Sequence, residues 1–205
     1  MIRLTEIYLT GFRTFANPTT YNIGDGIAVI VGPNRCGKTN LLSSIRWGLG
    51  ENLENPLFYG AMRRIPATRC TVILTFQTEH GSIQVTRNSS PGQSEAPEFT
   101  PTGPFSTISD LSSRIHFPQT LEELDRIAEQ TNSQDIIILD EIDAPCDEQQ
   151  ILVFCDKLYD RSQRHQILLV THSKATMSIA DSIIGVTMEE YGVTKLIGMR
   201  LTSKE

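Results

Sequence analysis

The stretch Ala28–Leu49, AVIVGPNRCGKTNLLSSIRWGL, decides how the rest of the chain is read. It opens with a short apolar run, Ala28–Val31, and passes through Gly32-Pro33-Asn34-Arg35-Cys36-Gly37-Lys38-Thr39 into a helical pattern. The loop fits G-x-x-x-x-G-K-[ST], in the strand-before, helix-after context that this motif requires. Gly32 and Gly37 let the backbone curl so that successive N–H groups turn toward phosphate oxygens. The helix that follows adds its positive N-terminal end, Lys38 is placed to neutralise β- and γ-phosphate charge, and the Thr39 hydroxyl to ligate Mg²⁺. The expectation is a nucleotide-binding chain that holds its phosphates along Gly32, Pro33, Asn34, Arg35, Cys36, Gly37, Lys38, Thr39 and Asn40.

Working outward, Leu41, Leu42, Ile45 and Leu49 form one face of a helix that Gly48 and Gly50 help to end. Trp47 lies off that stripe and is expected to pack rather than bind. Upstream, residues 2–9 alternate as strands do, Phe12 and Phe15 anchor a turn, and Gly24-Asp25-Gly26 turns into the loop's own strand. Downstream, residues 51–68 are irregular, and Cys70–Phe76 pairs with Ser82–Arg87 across a turn. His80, in that turn, reads as a solvated residue. From Asn88 to Phe105 the composition changes: this stretch holds four of the ten prolines and has little periodicity. It reads as a linker or mobile surface loop, residues 89–105, between an N-terminal lobe of 1–88 and a C-terminal lobe of 106–205.

The second lobe begins with helical spacing at Leu121, Leu124 and Ile127, introduced by Pro118 and Thr120. Ile136–Leu139 is a continuous apolar run of the kind buried in parallel sheets, and it ends in Asp140-Glu141. A helix follows, marked by Ile151, Phe154, Cys155 and Leu158. Gln166–Val170 then forms a further buried strand that ends at Thr171-His172. The tail, Ile183–Met188 and Val193–Leu201, closes as a hairpin. A strand tip beside the phosphate loop would place Asp140 on the Mg²⁺ shell and Glu141 where it polarises an attacking water. His172 would stand within reach of a γ-phosphate.

Composition sets limits on the rest. The chain has 205 residues, 39% apolar, enough for one core or two closely packed lobes. No eighteen-residue apolar run is present and MIRLTEIYLTGF lacks a long apolar stretch, so neither membrane nor export is expected and the cytoplasm is the default. The net charge of −6 argues against coating DNA through bulk positive charge, and Arg63, Arg64 and Arg69 leave a local basic patch as the one route to DNA. The four cysteines lack C-x-x-C pairing and fit reduced thiols better than a disulfide framework or a zinc site.

GFRTFANPTTYNIGDGIAVIVGPNRCGKTNLLSSIRWGLGE resembles the N-terminal head segment of the bacterial structural-maintenance-of-chromosomes (SMC) family, within the ABC-type ATPases. IIILDEIDAPCDEQQ and LLVTHSKATMSIADSIIGVTMEEYGVTKLIGMRL resemble its C-terminal head segment. The resemblance covers residues 1–87 and 134–202. It implies an α/β phosphate-loop NTPase of ABC/SMC head type: a mixed sheet with flanking helices and a β-rich N-terminal lobe. It assigns Gly32–Thr39 as Walker A, Asp140 and Glu141 as the Walker B metal ligand and base, and His172 as the switch histidine; with the loop reading above, the expected metal ligands are Thr39 and Asp140 and the expected catalytic residues Glu141, His172 and Lys38. Asp143–Asp147 becomes the D-loop.

The departures from that family carry equal weight. Its coiled coil and hinge are replaced by the proline-rich segment and one short helical region. Its glutamine-bearing loop has no match, since Gln77 comes too early. Its L-S-G-G-E signature is missing, and Leu111–Ile115 reads as a degenerate remnant. Phe58 stands where an arginine is usual, and Arg35 replaces a glycine, either adding a phosphate contact or crowding the loop. The resulting expectation is a Mg·ATP-binding head with slow or partner-dependent hydrolysis, a homodimer or a heterodimer with another SMC-type head, cytoplasmic or nucleoid-associated. The alternative is a non-catalytic, ATP-dependent module that pairs with the head of a full-length SMC or related protein.

Overall fold

The computed structural model describes residues 2–100, 105–130 and 135–200. Two sheets carry the fold. The first is antiparallel, built on β1 (Ile2–Thr10), β2 (Thr19–Asn22), β4 (Cys70–Thr78) and β5 (Gly81–Ser90) in the order β2-β1-β4-β5. The second is mixed, with β3 (Ile27–Val31), β8 (Ile115–His116), β9 (Ile136–Asp140), β10 (Gln166–Val170), β11 (Ser182–Glu190) and β12 (Val193–Arg200) in the order β12-β11-β3-β10-β9-β8. Every neighbour pair in it is parallel except the β11–β12 hairpin. The α/β fold with a mixed sheet and a β-rich N-terminal portion is as the sequence implies.

Between the sheets lies α1 (Lys38–Gly48), packed against β4, β5 and β9. Leu41, Leu42, Ile45 and Trp47 are all buried, because the helix is covered on two sides rather than along one stripe. A Cβ on Gly48 would come within 2.8 Å of a Leu74 methyl, so glycine sets how closely the helix end approaches β4. Strands β3, β9 and β10 alternate in a matching way. Ala28, Ile30, Ile136, Ile138, Leu168 and Val170 join the core shared with α1 and the antiparallel sheet. Ile27, Val29, Ile137, Leu139, Ile167 and Leu169 face the opposite core, against α3 (Leu121–Gln130) and α4 (Glu148–Ser162). A strand buried on both faces reads as an unbroken apolar run, as Ile136–Leu139 does.

Two buried polar side chains fasten the layers. Gln166 accepts from the Leu4 amide at 2.8 Å and donates to the carbonyls of Leu4 and Gly24, beside the bulge where β1 shifts register between Leu4 and Glu6. Arg87 donates to the carbonyls of Trp47, Glu51 and Glu95 and lies 4.7 Å over the Trp47 ring.

The stretch expected to be a linker folds back on the antiparallel sheet over its described part. Ser89 and Ser90 extend β5, while β6 (Gln93–Ser94) and β7 (Glu98–Phe99) pair with that strand. Pro91 sits in the turn between β5 and β6 and Pro97 directly precedes β7, so this part forms edge pieces of the sheet rather than a tether; residues 101–104 lie outside the described residues. The lobes do not coincide with the sheets, because β3, from the N-terminal half, sits at the centre of the mixed sheet between β11 and β10. No helix among the described residues is long and apolar enough to cross a membrane.

Candidate nucleotide site

The loop after β3 climbs from the centre of the mixed sheet to α1. A Cβ on Gly32 would lie 2.1 Å from the Val186 carbonyl oxygen, so that position admits no side chain. Gly37 has φ 110° and a Cβ there would meet the Thr194 hydroxyl at 2.2 Å. Gly37 also precedes α1 without a side-chain cap, and the first turn of the helix contains no acidic residue. Its orphan N–H groups and positive end therefore stay available to an anion. Cys36 is buried, and its carbonyl accepts from Thr194 Oγ1 at 2.8 Å, which pins the loop to β12. Arg35 is exposed at φ 65°, in the left-handed region that glycine would occupy without cost. Its place in the wall of the loop's cavity leaves the side chain free to reach an anion there.

That cavity, about 430 Å³, is lined by Asn34, Arg35, Gly37, Lys38, Thr39, Asn40 and Glu141. Lys38 is buried and curls back on its own loop, donating to the carbonyls of Gly32 at 3.1 Å and Pro33 at 3.2 Å. Its Nζ lies 3.7 Å from Glu141 Oε1, and the same carboxylate oxygen lies 3.3 Å from His172 Nε2. The strand ends explain this convergence. β10 runs parallel between β3 and β9, so the tips carrying Lys38, Glu141 and His172 emerge side by side. Glu141 itself has φ 52°, a conformation rare outside glycine and found where the surroundings over-determine it. Asn40 lines the cavity while its side chain accepts from Arg13 at 3.2 Å and donates to Thr14 at 2.8 Å.

Thr39 also lines a second cavity of about 280 Å³, whose walls include Asp140, Arg46, Phe117 and Gln119. Asp140 is held above the usual carboxylate range, first by burial and then by the neighbouring Glu141 charge, with Arg46 and Lys38 opposing. A carboxylate in that state gains from a cation beside it. The cradle closed to any Cβ, the uncapped helix start, the buried lysine and the Thr39–Asp140 pair together fit a nucleotide triphosphate with Mg²⁺.

Other expectations come out differently. The segment Leu111–Ile115 does not resemble a phosphate-binding remnant in shape. It closes α2 (Ile108–Ser112), a C-terminus whose N–H groups are already used: Ser113 bonds back to Ser109 and Arg114 to Leu111. Leu111 is buried, and Arg114 and His116 both bind the buried Asp135. Phe58 is a core residue, not a surface substitute for an arginine. In the proposed D-loop, Asp143 is buried and Asp147 caps α4.

Gln119 is the residue that sequence reading missed. It lies beyond the two-residue edge strand β8 and lines the Thr39–Asp140 cavity, whereas Gln77 is exposed on β4. The one available signal was a glutamine shortly after Ile115–Phe117, a run too short to announce a strand.

Residues 3–96 match the family model described as RecF/RecN/SMC N terminal domain. The Smc chromosome partition protein of Bordetella petrii is 35% identical over 89 residues, 39% of this chain and 8% of that protein. That of Cereibacter sphaeroides is 42% identical over 72 residues, 31% of this chain and 6% of that protein. The chain therefore spans under a tenth of the length of these relatives. Among solved structures, the SMC head domain from Thermotoga maritima superimposes with a TM-score of 0.77 at 22% identity, covering 97% of this chain and 100% of that one. The Pyrococcus furiosus Smc head, solved with the C-terminal domain of ScpA, gives 0.78 at 15% identity, with 98% and 97% covered. Residues 3–96 thus carry the RecF/RecN/SMC N-terminal domain, and the chain as a whole has the SMC head fold.

Proposed function

We propose that this protein is a Mg·ATP-binding head that hydrolyses ATP slowly or only with a partner. One observation carries the reading: Lys38, Glu141 and His172 converge within 4 Å contacts over a phosphate loop whose Thr39 shares a cavity wall with Asp140. In this reading the loop N–H groups and Lys38 hold the β- and γ-phosphates, and Lys38 exchanges its loop carbonyls for phosphate oxygens. Thr39 and Asp140 would hold Mg²⁺, which supplies charge neutralisation between the phosphates. Glu141 accepts the proton of the attacking water, and His172 orients that carboxylate and meets the γ-phosphate side. Gln119 faces the metal side of the same space. Isothermal titration should give Mg²⁺-dependent ATP binding that Lys38→Ala abolishes. A steady-state assay should then show turnover that Glu141→Gln removes while binding persists. Absence of ATP binding in the unaltered chain would sink the reading.

A second reading, a non-catalytic module that engages another head, is favoured by the inward-turned Leu111–Ile115 segment. Such a surface offers no free N–H groups to a nucleotide held by a partner. Light scattering of Glu141→Gln with ATP, with and without a full-length SMC protein, decides between them. Association only with the full-length protein supports the module. We assign both readings to chromosome partition in the cytoplasm, the process named for the relatives.

A further inference from the structure

The turn after β9 and the turn after β10 are tied together by a side chain that none of the roles above uses. Asp143 is 4% exposed, and its Oδ2 accepts from Thr171 Oγ1 at 2.5 Å and from Thr176 Oγ1 at 2.9 Å. Both threonines are wholly buried. Thr171 directly precedes His172, and its hydroxyl also accepts from the Ser173 amide at 2.9 Å, so the backbone on both sides of the histidine is held. At the other end, Asp143 belongs to the tight turn closed by the Ala144 amide on the Glu141 carbonyl, while the Glu141 amide binds the Val170 carbonyl. Ile142, between Glu141 and Asp143, is buried in the core against α4 and so cannot carry the turn outward.

We infer that Asp143 is a positioning residue: through the Thr171 and Thr176 hydroxyls it holds the Glu141 turn and the His172 turn as one rigid unit. This inference rests on the nucleotide-binding reading above and adds a residue to it. The physical need is clear. Glu141 and His172 lie on separate strand tips, both side chains are close to half exposed, and their 3.3 Å contact is too weak to hold two loops in place by itself. A buried carboxylate shared by two buried hydroxyls supplies the rigidity, and its hydrogen bonds to a charged acceptor are the stronger kind. Misplacement by about 1 Å at such a distance from the chemistry can cost about 100-fold in rate.

The test compares Thr176→Val, which removes one donor at nearly unchanged shape and far from the reacting atoms, with Asp143→Asn, which keeps an acceptor oxygen. ATP affinity of the unaltered chain is measured first; if it fails to bind, the reading of the site falls, and the crystallographic arm below still judges the positioning claim. Under single-turnover conditions Thr176→Val is expected to slow hydrolysis about ten-fold or more, with ATP affinity within about two-fold, and Asp143→Asn to recover part of the rate. In a His172→Ala background Thr176→Val should have no further effect, a non-additivity that a merely stabilising hydroxyl would not show. Crystal structures of Thr176→Val and Asp143→Ala should show the Glu141–His172 separation widened by about 1 Å or more. An unchanged separation, an unchanged rate, or an undiminished effect in the His172→Ala background would each overturn the inference.

Discussion

At Gly37 and Asp140 the demands of stability can be weighed against those of the proposed ATP binding. At Gly37 a side chain would meet both a left-handed backbone and the Thr194 hydroxyl 2.2 Å away. Gly37→Ala is expected to cost on the order of 2–3 kcal/mol and to abolish ATP binding, measured by denaturant unfolding and calorimetric titration. Asp140 behaves in the opposite sense. Its carboxyl is raised in the folded protein by burial and by Glu141, so the folded state takes up the proton more readily than the unfolded chain. Stability therefore falls as pH climbs from the ordinary carboxylate value through the raised one, and the penalty is complete at neutral pH. Asp140→Asn should melt higher than the unaltered chain at pH 7, and the difference should vanish in acid, below the ordinary carboxylate value. The same substitution should remove the Mg²⁺ dependence of ATP binding, so thermal scans across pH and titrations with and without Mg²⁺ check one residue twice.

At the scale of elements, α1 has an uncapped start at the loop's cavity and has its other end bound by Arg87. The guanidinium reaches across from β5 to the Trp47 and Glu51 carbonyls, where the negative end of the helix also favours a cation. Arg87→Met would leave those buried carbonyls without this donor and is expected to cost about 2–3 kcal/mol. Arg87→Lys should recover little, since one ammonium cannot match the fork that also reaches the Glu95 carbonyl. Urea unfolding of the three proteins settles the order. The N-terminus of α4 offers a smaller contrast. There Asp147 and Gln150 form a reciprocal cap on an exposed surface, and Asp147→Ala should cost only about 1 kcal/mol.

For the molecule as a whole, one core runs through both sheets by way of α1, and Gln166 links the mixed sheet to β1. The two halves of the chain should therefore unfold together. The single tryptophan, Trp47, lies between the sheets at 1% exposure, so its fluorescence reports the shared core. Fluorescence and far-ultraviolet circular dichroism are expected to give coincident transitions. Gln166→Leu should lower stability by about 1–3 kcal/mol by stranding the Leu4 amide beside the β1 bulge. Separate transitions from the two probes would show that the lobes fold independently.

The phosphate loop, the apolar run ending in Asp140-Glu141 and the closing hairpin were legible in the sequence because each depends on local chemistry. Glycine spacing, strand-like runs and helix starts are dictated by the residues themselves. What tertiary structure alone decided depends on which strand lies beside which. The insertion of β3 between β10 and β11 brings Lys38, Glu141 and His172 together across more than a hundred residues of chain. Other long-range contacts fold Gln93–Phe99 onto β5, turn Arg114 inward to Asp135, and bring Gln119 to the wall of the cavity that Thr39 and Asp140 share. Segments that short carry almost no periodic signal, and a buried carboxylate such as Asp143 looks in sequence like any loop acid. Only its two hydroxyl partners, from another strand end and another helix, give it meaning.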